Sequence, residues 1–170
     1  MALTTCRECG GEVSDQAQAC PRCGAPQAAV PSYSGFGFEW QSSRTYGGYP
    51  LVHIAFGKDS RGKWRVAKGV IAIGQFALGL VTVAQCGVGL LFGFGQFIIG
   101  GVVLAQVAGG LLVGVGQIAT GYVAIGQVVL AYYGLGQIGL AKFLWSTSRK
   151  DGEAVRFFLS WWDNLKQLIT

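Results

Sequence analysis

Between Gly69 and Ala141 the chain follows a five-residue rhythm. A small residue recurs at Gly69, Gly74, Gly79, Ala84, Gly89, Gly95, Gly100, Ala105, Gly110, Gly116, Gly121, Gly126, Ala131, Gly136 and Ala141. Two steps are longer by one residue, Gly89 to Gly95 and Gly110 to Gly116, and the second begins four markers after the first. The residue two places after each marker is apolar, from Ile71 and Phe76 through Cys86 to Phe143. Glutamine adds a slower beat: Gln75, Gln96, Gln117 and Gln137 form one series, and Gln85, Gln106 and Gln127 a second, each advancing four markers at a time. Four pentads per turn of about 21 residues account for both beats. The first and third residues of a pentad share parity on a strand, so both are expected to face inward. The block therefore predicts a mainly β fold, a hydrophobic β-solenoid of about 21 residues per coil over 69–145. Glutamines one coil apart would bond amide to amide along the axis, ~4.8 Å per step. Cys86 reads as a small core residue rather than a nucleophile.

Transmembrane helices over the same block are the alternative. Five residues turn an α-helix by about 500°, which scatters the markers over different faces. Eighteen glycines between Gly69 and Ala141 weaken a helix further, and no polar loop interrupts the run.

The pentad pattern resembles the pentapeptide-repeat family over about 75 residues. That resemblance implies a quadrilateral coil with a small residue and a Leu or Phe inside. The chain departs from it outside: Gln or an apolar residue stands where the family has Asp or Asn, and the free positions are Leu, Val, Ile, Phe and Ala. An apolar exterior that large implies lipid or another subunit around it, and a stacked coil leaves few backbone groups unpaired for lipid to meet.

Charge sharpens this. The stretch from Gly69 to Ala141 contains no Asp, Glu, Lys, Arg or His, although the chain carries +5 overall. Global disorder is excluded by the hydrophobic content, and collagen by the absence of a three-residue glycine period. Before the block stand Arg44, Lys58, Arg61, Lys63, Arg65 and Lys68, a cluster suited to anionic lipid headgroups. Gly57 to Lys63 fits GxxxxGK, but Trp64 stands where a phosphate loop needs Ser or Thr. The plain reading is a hairpin, with strands at 51–56 and 63–67 and a structural His53. At ~4.8 Å per coil, the four-pentad solenoid would be only ~17 Å long, or ~22 Å with the hairpin added, against ~30 Å of hydrocarbon.

The N-terminus carries the metal chemistry. Cys6-Arg-Glu-Cys9-Gly and Cys20-Pro-Arg-Cys23-Gly are paired CxxCG knuckles. Four thiolates in such pairs suit one structural Zn²⁺ in a closed site, and the following glycine allows each knuckle its tight turn. Four cysteines in a metal pattern, and no apolar signal segment, favour a reducing compartment over disulfides. The segment resembles the short zinc ribbons at the N-termini of many bacterial proteins. Arg7 and Arg22 are offset by Glu8, Glu12 and Asp15, which favours a protein partner over nucleic acid.

Residues 146–170 predict an amphipathic helix beginning near Asp151. It either caps the end of the solenoid or lies in a membrane interface with Trp161 and Trp162 at headgroup depth. The expected organisation is a zinc ribbon (1–25), a linker (26–36), a basic hairpin (37–68), the solenoid (69–145) and the helix (146–170). The whole resembles bacterial zinc-ribbon membrane proteins with a glycine-rich hydrophobic repeat. The expected role is a non-enzymatic, homo-oligomerising scaffold in the lipid bilayer, its ribbon facing the cytoplasm. A soluble assembly with its apolar faces buried between subunits is the other reading. No acid–base pair, nucleophile or open metal site suggests an enzyme.

Overall fold

The computed structural model describes residues 3–14, 17–26, 36–59 and 61–169. The fold is mainly β with one C-terminal helix. Most of the linker expected at 26–36 lies outside the described residues.

Two compact units form: Met1–Gly37 with Lys58–Trp64, and Phe38–Gly57 with Arg65–Thr170. In the first unit β1 (Leu3–Thr5) pairs antiparallel with β2 (Glu12–Ser14). The turn at 58–64 also belongs to it. Asp59 Oδ1 accepts the backbone N–H groups of Arg61 (2.8 Å) and Lys63 (2.9 Å), the local bonding that suits Asp to turns.

In the second unit, β3 (Gly37–Gln41), β6 (Val52–Gly57) and β7 (Val66–Trp145) form one sheet in the order β3-β6-β7. A short ribbon, β4 (Thr45–Tyr46) and β5 (Tyr49–Pro50), lies between β3 and β6 in the chain. The expected hairpin of 51–56 with 63–67 is not the main pairing. Residues 52–55 pair parallel with β7, Val52 with Ile71 and Ala55 with Gly74. The antiparallel link is confined to one bridge, Lys58 to Trp64. The turn reverses the chain locally, and the partner strand comes after it.

The uncharged block is strand throughout, an 80-residue β7. Drawn straight, it would run ~260 Å, yet positions two pentads apart touch. A Cβ on Gly79 would lie 2.6 Å from the Gly69 carbonyl oxygen, and one on Gly136 would lie 2.7 Å from that of Gly126. The same approach joins Gly95 to Ala84, Gly100 to Gly89, Gly116 to Ala105 and Gly126 to Gly116. Rings report it independently: Tyr122 stacks on Tyr132 at 5.1 Å and Tyr133 on Phe143 at 5.2 Å. The contact repeat is therefore two pentads, not the four expected.

The buried positions differ from expectation as well. The residue two before most markers is buried, whereas the one two after is exposed or half-buried, Val123 excepted. Ala67, Ala72, Ala77, Ile98, Val103, Ala108, Ala119, Ala124, Val129 and Leu144 are buried, with Thr82. Phe76, Leu91, Phe97, Leu112, Ile118 and Ile138 are exposed. Cys86 is exposed too, so the core role expected for it is overturned. Both positions share the marker's parity on a strand, so alternation allows either. The buried set is mostly small, Ala and Val with Ile98 and Leu144, as segments that approach closely every two pentads require. Consecutive outward residues at the second and third positions break the alternation where the chain must bend.

Helix α1 (Gly152–Ile169) forms as expected. Its Ala154 and Phe158 are buried with Val123, against Val113, Ile125, Tyr133, Leu135, Phe143 and Trp145. These contacts recur every two pentads along β7, so the helix packs along residues 113–145 of that strand. Asp151 closes the junction. Its N–H donates to the Leu144 carbonyl (2.9 Å), and its Oδ2 accepts from the Leu144 N–H (2.8 Å). That N–H, with Arg149 beside it, holds the carboxyl below its ordinary 3.8. A lowered native value contributes stability above the ordinary value, lost as pH falls through the native one. Fluorescence of Trp145 and Trp161 on acidification is expected to show α1 loosening below about pH 4. Asp151→Asn, which keeps an acceptor for Leu144 but no charge, is expected to weaken that pH dependence.

Candidate functional site

The metal centre is built from two equivalent turns. In each, the glycine after the second cysteine adopts positive φ, 67° at Gly10 and 71° at Gly24. Gly10 N–H donates to the Cys6 carbonyl (2.9 Å), and Gly24 N–H to that of Cys20 (2.8 Å). Each first cysteine then donates its own N–H onward, Cys6 to Gly11 and Cys20 to Ala25. Cys6 and Cys20 are buried around Val13, while Cys9 and Cys23 are exposed.

The four Sγ atoms lie within 4.8 Å of one another. Cys6 to Cys23 and Cys9 to Cys20 are each 3.7 Å, too long for a disulfide and close to the ~3.8 Å edge of a thiolate tetrahedron with ~2.3 Å arms. The Cys9 and Glu8 N–H groups lower the Cys6 thiol. Those of Cys23 and Arg22 bring Cys20 down to about 6. The Ala25 N–H draws Cys23 down, but Cys9, burial and the other thiols push it up to about 12. Four like charges cannot gather without a cation, and a dication at the centre would remove that conflict. The residues fit a metal that takes four sulfurs. Such a site is closed, so it can hold a fold together but has no open position for a substrate.

The expected headgroup cluster is spread over both units. Arg61 pairs with Asp59 at 3.6 Å, and Lys58 Nζ lies 4.7 Å from the centre of the Trp64 ring. Lys63 and Arg44 are exposed. Arg65 pairs with Glu39. Lys68 has an exposed side chain, and its backbone N–H donates to His53 Nδ1 (2.8 Å). The His53 Nε2 faces Glu39 Oε1 and Gln41 Nε2, each at 3.3 Å. His53 is buried as a structural residue was expected to be. The Glu39 partnership was not legible, because 14 residues separate the two.

Of the glutamines, Gln75 is half-buried, and its Oε1 accepts the Gly57 N–H at 3.1 Å. Gln85, Gln96, Gln106, Gln117, Gln127 and Gln137 are exposed. Among the described residues no amide-to-amide bond joins two of them. Trp161 packs on Phe157 at 5.9 Å, and Trp162 lies under Lys166 at 5.7 Å; both are exposed. Among the described residues no helix is long and apolar enough to cross a membrane.

Comparison with protein-family models, curated proteins and solved structures returned no match.

Proposed function

We propose that residues 66–145 form a flattened β-solenoid of two pentads per coil, and that this solenoid is the membrane-embedded part of a non-enzymatic scaffold. The observation that carries the reading is length. Gly69, Gly79, Gly89, Gly100, Gly110, Gly121, Ala131 and Ala141 mark every second pentad, the spacing of the observed contacts. Seven steps at ~4.8 Å give ~33 Å, against ~30 Å of hydrocarbon. The shortfall of a four-pentad coil disappears.

The surface supports the same reading. Along this length the exposed side chains include Leu78, Leu90, Phe94, Leu104, Leu111 and Leu140. Charge returns only beyond its ends, at Arg65 and Lys68 on one side and Lys142, Arg149 and Lys150 on the other. Coil-to-coil pairing satisfies the backbone without water. Trp161 and Trp162, on the part of α1 beyond its packed first turns, suit the headgroup layer.

The cysteine centre is proposed to hold one structural Zn²⁺, the ion for which four thiolates from paired knuckles are the common site. The ribbon would then be a cytoplasmic contact module for a protein partner. Arg7 lies 3.7 Å from Glu8 and donates to the Pro26 carbonyl, which leaves little basic surface for nucleic acid.

The test is extraction. The full chain, expressed in bacteria, is expected to stay with membranes through an alkaline carbonate wash and to need detergent for release. Brominated acyl chains should quench its tryptophan fluorescence. Recovery as a large detergent-free particle would favour the soluble assembly instead.

A further inference from the structure

With two pentads per coil, the two glutamine series become one. Gln75, Gln85, Gln96, Gln106, Gln117, Gln127 and Gln137 each open every second pentad, the contact repeat of β7. Each coil thus presents one glutamine, and all seven stand on the same edge. The other pentads put Val70, Leu80, Leu90, Gly101, Leu111, Tyr122, Tyr132 and Lys142 in that position, so the opposite edge has no such stripe. Up to Leu111 that edge is apolar.

An unpartnered amide in hydrocarbon is costly. Among the described residues no bond joins two of these amides along the axis, and Gln75 bonds instead to the Gly57 N–H, so the exposed amides keep donors and acceptors to offer a partner. Beside the column runs a groove of about 440 Å³, with Gly95, Ala105, Gly116 and Gly126 in its lining and Gln106 and Gln117 among its walls. Small residues there let another surface come close, as they do between membrane helices.

We infer that the glutamine column is a docking edge for a second copy of this chain, the two solenoids lying side by side in the same orientation. This rests on the membrane reading above. The occupant follows from the chemistry of the column. A carboxamide is both donor and acceptor, so a row of amides is complementary to an identical row. A two-fold axis parallel to the solenoid axis sets every glutamine at the height of its own counterpart. It also keeps both ribbons on the same side of the bilayer. Lipid chains offer no hydrogen bonds to the column, and a charged partner would be desolvated there without an opposite charge to meet.

The experiment uses the full-length chain in native membranes, in a Cys86→Ser background, with a short thiol-reactive bis-maleimide after zinc loading. Gln106→Cys and Gln117→Cys are expected to cross-link to dimers, and Leu111→Cys, exposed on the opposite edge, is not. In detergent, Gln106→Leu with Gln117→Leu is expected to raise the dimer dissociation constant about tenfold. Cross-linking absent at both glutamine positions, or equal at Leu111→Cys, overturns the inference. So does an unchanged dissociation constant in the Leu variant. The same samples are washed with carbonate: chains that stay in the membrane uncross-linked defeat the docking edge alone, whereas chains that wash off defeat the membrane reading.

Discussion

Chelation of the metal, or Cys20→Ser, is expected to unfold the N-terminal unit completely while leaving β7 and α1 intact. The unit has three-residue strands, and its core is Cys6, Val13 and Cys20 with Ala17 and Ala25 against them. Burial on that scale does not offset the chain entropy of ordering roughly 25 residues. The remaining free energy would come from the proposed metal, which would make folding and binding one event. Loss of the ion leaves four thiols packed within 4.8 Å, with the N–H groups that lower Cys20 and Cys6 now favouring like charges side by side. Proton spectra of an isotope-labelled 1–40 fragment and of the full chain, with and without a chelator, would show the outcome. Amide dispersion of residues 3–14 surviving chelation would mean that the metal is not the source of the fold. Gly24→Ala is a milder companion. Its φ of 71° lies in the left-handed region with open space around the Cβ site, so the expected cost is only ~1–2 kcal/mol.

Gly126→Val is expected to be strongly damaging to β7. Even a Cβ at that position would strike the Gly116 carbonyl oxygen, with the Gly116 carbonyl carbon at 3.2 Å and the Gln117 oxygen at 3.4 Å behind it. Those atoms are backbone, so neither segment can yield as the far end of a flexible side chain would. The cost is expected to be about 3 kcal/mol or more, read as a lower midpoint in detergent unfolding followed by far-ultraviolet circular dichroism. Leu111→Val, at a side chain 74% exposed, is the comparison and is expected to leave the midpoint nearly unchanged. Equal midpoints for the two variants would contradict coil-on-coil packing at Gly126.

These two sites were legible to different depths. The metal centre is local: each CxxCG turn brings its sulfurs together within four residues, and spacing alone identified all four cysteines. The positive φ at Gly10 and Gly24 follows from the same turns. Helix α1 was likewise readable from its stripe, since 3.6-residue periodicity and the acidic first turn are local properties. Its docking was not. Val113, Val123, Tyr133 and Phe143 align only once the chain has coiled, so nothing near 152–158 shows that they will be its floor. The Glu39–His53–Arg65 node is also a product of tertiary pairing, its members drawn from β3, β6 and the residue just before β7.

The block that opened the description shows the division most plainly. By itself, the order of residues determined that 69–141 would be uncharged, that it would be strand rather than helix, and that positions five apart would be equivalent. A period states which residues share an environment. It does not state which positions come back into contact along the chain, nor whether the residue two before or two after each marker faces in, since both choices leave the period unchanged. Tertiary packing decided these, because the interior has a volume to fill. Segments lined by Gly, Ala and Val approach closely, and their contacts recur every two pentads. From that packing followed the buried alanines and the outward-facing Phe97 and Leu112; the proposed glutamine edge and the proposed length of ~33 Å rest on the same contact repeat.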